Sequence, residues 1–200
     1  FISGAELERR EAALKPVRRL EIFLLPHSHN DIGYTELQAE VEKKQNRNLE
    51  TGLRLARATA SYPEGARFKW NVEVLWGVEN YLRAATPEQR AAFREAVQAG
   101  QIGLDAFYCN ILAGLCRPEE LLGLMSYATR LSAECGVPIE SAMISDVPGY
   151  TWSLVPAMAQ AGVKYFSFAP NYFDRMGGTM KEWQNRPFWW KGPDGKSRVL

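Results

Sequence analysis

Positions 26–31 read Pro26-His27-Ser28-His29-Asn30-Asp31, and they directly follow an apolar run at positions 20–25. The apolar run predicts a short buried strand. In an extended backbone, side chains two residues apart point to the same side, so both imidazoles and the aspartate should converge just beyond that strand. Two imidazoles and a carboxylate on one side are typical of a zinc-type metal site. The alternative is an ordinary turn, in which the asparagine, the aspartate and the nearby Gly33 supply turn-forming chemistry.

The composition is that of an ordinary globular domain. Of the 200 residues, 46% are hydrophobic and 24% are charged, so a core can form. The net charge is +1, which gives no electrostatic reason to expect nucleic acid or an anionic membrane as a partner. The sequence contains no apolar run of about 18 residues that would predict a membrane-spanning helix. We therefore expect a soluble protein without a nucleic-acid or membrane partner, and its oligomeric state stays open.

The rest of the chain alternates between predicted strands and predicted helices. The strands are expected at 20–25, 67–73, 101–106, 141–145 and 163–168, and the helices at 36–62, 74–85, 87–99, 117–135 and 152–161. Such an alternation favours right-handed crossover connections and a mainly parallel α/β sheet, either open or closed into a barrel.

The expected domain organisation is simple. Residues 1–19 are predicted to be an N-terminal helical lead-in, with a short surface helix at 5–15, and residues 20–200 to form one β/α domain. The chain starts at Phe1 and ends within a hairpin predicted around 192–195, so we expect a piece of a longer protein. Export is expected if a leader preceded Phe1, and the compartment is otherwise open.

Polar residues follow most of the predicted strands. In α/β barrels, catalytic groups gather at the C-terminal ends of the strands. Here those ends carry His27, His29 and Asp31 and, later, Asn71, Glu73, Asp105, Asn110, Asp146, Asn171 and Asp174. This clustering favours a metal-assisted hydrolase over a binding module. Glu73 has an alternative interpretation as an acid near a helix N-terminus, which we favour over a catalytic role. Asp146 has an alternative interpretation as a turn-forming residue.

The stretch His27–Tyr34 resembles the His-Ser-His-Asn-Asp-Pro-Gly-Trp signature of glycoside hydrolase family 38, the retaining α-mannosidases. Ile32 and Tyr34 replace the signature's proline and tryptophan. Three later segments are similar, in the same order, to that family's N-terminal catalytic domain, namely 67–73, 100–102 and 144–151. In the last segment Asp146 and Gly149 align with the family pattern.

The resemblance implies a seven-stranded parallel β/α barrel of the glycoside hydrolase/deacetylase type, incomplete over these residues, with one bound Zn²⁺. It implies that His29, Asp31 and Asp146 are zinc ligands, and that Asp146 is also the catalytic nucleophile that forms a glycosyl-enzyme intermediate. The fourth ligand and the acid/base carboxylate would lie beyond residue 200. The expected contacts around the metal or the substrate are His27, Tyr34, Trp70 and Asn110.

The expected function is therefore a zinc-dependent retaining α-mannosidase-like glycosidase of carbohydrate and mannose metabolism. Its substrate would be an α-mannoside, and residues 1–200 alone are not expected to make a complete active site. One alternative is a zinc-dependent carbohydrate deacetylase or amidohydrolase on a related barrel, in which the aspartate activates water. The other is a non-catalytic carbohydrate-binding relative. The linkage and the natural glycan are not determined.

Overall fold

A computed structural model describes residues 5, 8–9, 21–171, 182–184 and 186–200. Its helices are α1 (Gln38–Ala58), α2 (Trp76–Ala84), α3 (Pro87–Gln98), α4 (Pro118–Gly123), α5 (Ser126–Cys135) and α6 (Leu154–Gln160). Its strands are β1 (Trp70–Val72), β2 (Ile102–Leu104), β3 (Ser141–Ser145), β4 (Tyr165–Ala169), β5 (Trp190–Lys191) and β6 (Arg198–Val199). From α1 onward, the predicted alternation of helices and strands is confirmed.

The strands form small sheets with parallel pairing between consecutive strands of the α/β part. β1 pairs in parallel with β2, and Trp70 lies opposite Ile102. β3 pairs in parallel with β4 over five residues, from Ser141 opposite Tyr165 onward. β5 and β6 form the antiparallel hairpin that the turn residues at 192–195 predict. The fold is thus mixed α/β with parallel pairing, as predicted.

Further backbone hydrogen bonds connect these pairs in chain order. The amide of Asn71 donates to the carbonyl of Pro26 (2.9 Å), and the amide of Ala106 donates to that of Ser141 (2.8 Å). The amide of Phe166 donates to the carbonyl of Leu200 (2.8 Å). The lateral order of neighbouring segments is therefore residue 26, β1, β2, β3, β4 and the end of β6. This order brings together the loops that follow neighbouring strands.

Local sequence explains where the best-defined helices begin and end. Thr86 accepts a hydrogen bond from the amide of Gln89, and the Gln89 side chain accepts one from the amide of Thr86, which together form the predicted capping box before α3. Gly136 ends α5 in the left-handed conformation (φ +68°), which glycine adopts without a steric penalty. These helix ends need no tertiary contact to be specified.

A hydrophobic core lies between the sheet and the helices. It draws on α1, α2, α3, α5 and α6 and on one face of the strands, and includes Leu53, Val78, Phe93, Ile102, Phe107, Leu131, Ile144, Leu154 and Met158, all at most 3% exposed. Successive side chains alternate between the two faces of a strand, and the opposite face carries Asn71 in β1 and Asp105 directly after β2. Asn71 is buried there and donates a hydrogen bond to the buried Asp105.

The expected first strand is not formed. Ile22, Phe23 and Leu24 are 75–83% exposed, and no strand is assigned there, although the apolar run predicts a buried one. The physical reason is the lack of a partner, because within the described residues this segment is joined to the sheet by the hydrogen bond at Pro26, and no element covers its side chains. Leu20 lies outside the described residues.

Two other predictions need adjustment. The helix expected at 117–135 is divided into α4 and α5 by the non-helical Met125 (φ −108°). Of the helix expected at 5–15, the structure describes Ala5, Glu8 and Arg9, which are helical, with Arg9 donating to the carbonyl of Ala5.

In the described ranges, no helix combines the length and the apolar character that a bilayer crossing needs.

Candidate metal centre

Three of the predicted residues come together at one point of the molecule. One nitrogen or oxygen atom from each of His29, Asp31 and Asp146 lies within 4.8 Å of the corresponding atoms of the other two. The Nε2 atom of His29 is 3.3 Å from Oδ1 of Asp31. The two halves of the group come from distant parts of the chain, namely the loop before α1 and the end of β3. The predicted proximity of Asp146 to His29 and Asp31 is therefore observed.

Helix α1 holds the loop that carries the histidines. The side-chain amide of Gln45 donates to the carbonyl of His29 (3.1 Å), and that of Asn48 donates to the hydroxyl of Ser28 (3.0 Å). Asn30 is 6% exposed, and its amide donates to the carbonyl of Ser28 (3.1 Å). These bonds fix the backbone of the loop from the helix side. The amides of α1 were not among the predicted site residues, because polar residues on a helix usually face water.

A buried glutamate lies directly behind the histidines. The side chain of Glu73 is fully buried, and its Oε1 atom is 2.8 Å from Nδ1 of His29. Its Oε2 atom is 3.4 Å from Nδ1 of His27, at the long end of hydrogen bonding, and has no closer hydrogen-bond partner within the described chain. The preferred sequence interpretation of Glu73, an acid near a helix N-terminus, is corrected, because its carboxylate faces the imidazoles.

The electrostatics of this contact favour positive charge at the histidine. The hydrogen bond to Glu73 raises the pKa of His29 against the opposing effect of burial, and the charges of Glu73, Asp31 and Asp146 act in the same direction. Burial works to raise the pKa of Glu73, but the hydrogen bonds from His29 and Asn110 outweigh it, and the pKa of this carboxyl falls below its ordinary value. The carboxylates that favour a proton on this imidazole would also favour a metal cation.

Asn110 connects the two halves of the site. Its Nδ2 atom donates to Oε1 of Glu73 (2.8 Å), and its Oδ1 atom accepts from the backbone amide of Ser145 (3.3 Å). Ser145 directly precedes Asp146 in the chain. One side-chain amide therefore contacts both the carboxylate behind His29 and the backbone that carries Asp146.

Asp146 has an unusual backbone conformation. Its φ angle is +57°, in the left-handed region that few residues other than glycine adopt. Its amide donates to the carbonyl of Ala169 at the end of β4 (2.7 Å), and Asn171 donates to its Oδ1 atom (2.9 Å). The backbone bond and the side-chain bond together aim the exposed carboxylate toward His29 and Asp31.

The other predicted contacts occupy different places. His27 lies outside the three-residue group and contacts Glu73. Tyr34 is 84% exposed. Trp70, predicted to contact the metal or the substrate, is partly buried and packs against the hydrophobic core. Its ring stacks on Phe68 and packs so closely on α1 that a Cβ atom at Gly52 would lie 3.2 Å from it. Asp174 lies outside the described residues.

The three-residue group fits a transition-metal ion by its chemistry. It offers one imidazole nitrogen and two carboxylates, and these donor types suit zinc. The orientation of the imidazole also fits, since Nδ1 faces Glu73 and Nε2 faces the carboxylate of Asp31. Metal-bound histidines commonly give their other ring N–H to a carboxylate in this way. Among the described residues, His29, Asp31 and Asp146 would hold such an ion.

The chain belongs to glycosyl hydrolase family 38. The model of the family's N-terminal domain matches residues 19–200. The chain is also 32% identical, over 84 residues, to alpha-mannosidase 2 of Arabidopsis thaliana, a match that covers 42% of this chain and 7% of the plant protein.

Several solved structures have folds similar to that of this chain. An alpha-mannosidase from Enterococcus faecalis V583 matches with a TM-score of 0.63 and 21% sequence identity. A family 38 protein from Enterococcus faecalis matches with a TM-score of 0.61 and 20% sequence identity. Each match covers 88% of this chain. It covers 19% of the alpha-mannosidase chain and 18% of the other family 38 chain. A 4-alpha-glucanotransferase from Thermococcus litoralis matches with a TM-score of 0.60 and 16% sequence identity, over 88% of this chain and 26% of that protein. At these identities the structural matches establish the fold alone.

Proposed function

We propose that this chain is the N-terminal part of the catalytic domain of a zinc-dependent, retaining α-mannosidase. The observation that carries the proposal is the group of His29, Asp31 and Asp146, whose donor atoms lie within 4.8 Å of one another in a family 38 chain. Residues 20–200 would supply the first strands of a seven-stranded β/α barrel, and residues 1–19 would precede it as a helical lead-in. The substrate is an α-mannoside.

In the proposed reaction, Asp146 is the nucleophile. One of its carboxylate oxygens bonds to the anomeric carbon while the glycosidic bond breaks, and a second carboxylic acid protonates the departing oxygen. Water then attacks the anomeric carbon, gives its proton to that second carboxylate, and releases both the sugar and Asp146. The hydrogen bond from Asn171 to Oδ1 orients the carboxylate for this attack.

The remaining residues of the site bind and orient. His29, Asp31 and Asp146 would hold Zn²⁺, which when bound supplies Lewis-acid charge that orients and polarises sugar hydroxyls. Tyr34 is 84% exposed on the loop that follows Asp31, and its ring is free to stack on an apolar face of a sugar. Glu73 and Asn110 lie behind the ligands.

Covalent trapping tests the proposal. The intact protein is incubated with a fluorinated mannoside that carries a good leaving group, and the labelled peptide is identified by mass spectrometry. We expect a fluoromannosyl ester on Asp146 in the wild type and no label in Asp146→Asn. Asp194→Asn makes the same chemical change in the exposed turn before β6 and should label like the wild type.

The two alternatives give different outcomes. Release of acetate from N-acetyl sugars, without labelling of Asp146, would favour a deacetylase and overturn the mannosidase assignment. Sugar binding that a chelator does not change, without turnover of any aryl glycoside, would favour a non-catalytic carbohydrate-binding protein. The fold does not separate these cases, since the similar structures include a glucanotransferase.

A further inference from the structure

Glu73 stands out among the buried charged residues of the described chain. Its side chain has no exposed surface, and nitrogen atoms of three side chains face its carboxylate. A buried charge is strongly unfavourable unless hydrogen bonds and opposite charges surround it. Its partners are the Nδ1 atoms of His27 and His29 and the amide of Asn110. The nature of these partners indicates what the carboxylate does.

We propose that Glu73 is a positioning residue that fixes the tautomer and the ring orientation of His29 for metal binding. The inference rests on the proposed zinc site. A carboxylate 2.8 Å from Nδ1 requires the ring proton to be on Nδ1, because a carboxylate can only accept. The neutral imidazole then carries its lone pair on Nε2, the atom that faces Asp31. Glu73 thereby selects the nitrogen that would bind the metal.

Asn110 extends this positioning to the other half of the site. Because it donates to Glu73 and accepts from the amide of Ser145, any shift of the glutamate would also disturb the backbone that carries Asp146. Glu73 and Asn110 thus form one polar connection between His29 and Asp146, underneath the proposed ion. Neither residue is a ligand, and neither contacts substrate in the proposed reaction.

The first test is the zinc affinity of Glu73→Gln, measured in the intact protein by competition with a chromophoric chelator. The variant keeps the shape of the side chain but removes the charge that strengthens the hydrogen bond to the imidazole. We expect zinc affinity to fall by about 10- to 100-fold, the usual effect of losing the partner of a metal-bound histidine. Glu79→Gln makes the same change on α2, where Glu79 accepts from the hydroxyl of Tyr108, and should bind zinc within about twofold of the wild type.

The second test does not depend on the variant folding. Nitrogen-15 NMR of the metal-free wild type, at a pH where the imidazole is neutral, reports which ring nitrogen of His29 carries the proton, with His27→Gln used for assignment. We expect the proton on Nδ1. A proton on Nε2, or a Glu73→Gln variant that folds and binds zinc within about twofold of the wild type, would overturn the role of Glu73.

Failure of this inference and failure of the proposed function are distinguishable. If Asp146 is labelled by the fluorinated mannoside while Glu73→Gln retains full zinc affinity, the mannosidase assignment stands and the positioning role is wrong. If Asp146 is never labelled but the Nδ1 proton and the affinity loss are found, the positioning role stands and the assigned reaction is wrong.

Discussion

At the scale of single residues, Asp146, the proposed nucleophile, has a strained backbone conformation. Its left-handed φ angle of +57° costs on the order of 1 kcal/mol for a residue with a Cβ atom. Asparagine and aspartate adopt this region more readily than most residues, because their short polar side chains bond locally. The hydrogen bonds to Ala169 and from Asn171 hold the residue there. Such strain is common where a side chain must be held in one orientation for chemistry.

Two substitutions of Asp146 should separate chemistry from strain. Asp146→Asn should lower hydrolysis of an α-mannoside by about 10⁴-fold or more, as loss of a nucleophile does, with an unfolding free energy within about 0.5 kcal/mol of the wild type. Asp146→Gly should be equally inactive with a stability within about 1 kcal/mol of the wild type, because the relief of strain at φ +57° is offset by the loss of the bond from Asn171 and by the greater freedom of glycine in the unfolded chain. Turnover assays and urea unfolding measure both. Substantial activity in either variant would contradict the nucleophile assignment.

At the scale of elements, β1 and β2 approach each other too closely for a side chain at one position. A Cβ atom at Gly103 in β2 would lie 2.5 Å from Oδ1 of Asn71 in β1. Asn71 donates a buried hydrogen bond to Asp105, so it cannot move aside without breaking that bond. The glycine is therefore required by packing, and its φ angle plays no part.

Gly103→Ala should destabilise the protein by about 1–3 kcal/mol, the usual cost of leaving a buried polar group without its partner. Gly123→Ala, at the end of α4, is the matched control because an added Cβ atom meets nothing within 4 Å. There alanine should be neutral or stabilising by up to about 1 kcal/mol, through its better helix propensity. Urea unfolding of both variants measures the difference. Equal stabilities would show that the contact at Gly103 relaxes without cost.

The buried carboxyl between the same strands should make stability depend on pH. Burial raises the pKa of Asp105, against the opposing hydrogen bonds from Ser141 and Asn71. The folded protein therefore binds this proton more tightly than the unfolded chain does. Its contribution to stability is fully present below the unfolded pKa of about 4 and is lost as the pH rises through the folded pKa.

Asp105→Asn removes this titration and keeps an acceptor for Asn71. The unfolding free energy of the wild type, minus that of the variant, should therefore decrease from about pH 4 toward neutral pH. Urea unfolding at a series of pH values gives this difference. A difference that stays constant, or that grows with pH, would contradict the assignment of Asp105 as a buried acid with a raised pKa.

At the scale of the whole molecule, the proposed ion joins two parts of the chain that lie far apart in sequence. The loop of His29 and Asp31 is held by α1, whereas Asp146 follows β3 and is held by the end of β4. A metal bound to both would add a cross-link that exists only in the folded state. Any ligand that binds only the folded state stabilises it by mass action.

Zinc at about 100 times its Kd should therefore raise the free energy of unfolding by about 2.7 kcal/mol. Thermal or urea unfolding with zinc and with a chelator measures the shift. His29→Ala should remove most of the shift, and its stability in chelator should lie below that of the wild type in chelator, because the buried Glu73 loses its 2.8 Å partner. A shift of the same size in His29→Ala would mean that zinc binds elsewhere.

Tertiary contacts also explain why the strand predicted at 20–25 is not formed. An apolar run is a reliable sign of burial only if something covers it, and in the described residues Phe23 and Leu24 are each 83% exposed. The propensity of the segment is local, but strand formation needs a neighbour on the sheet. The strands with partners on the sheet, β3 and β4, agree with their predicted positions within two residues at each end.

The sequence by itself determined the elements whose signals are local. These include the capping box of α3, the glycine end of α5, the β5–β6 hairpin and the turn that carries His29 and Asp31, because neighbouring residues specify them. Only the tertiary structure decided the surroundings of the site. Glu73 meets His29 across 44 positions of sequence, and Asn110 spans from Glu73 to Ser145. Such contacts depend on which strands lie side by side, and no local propensity encodes that order.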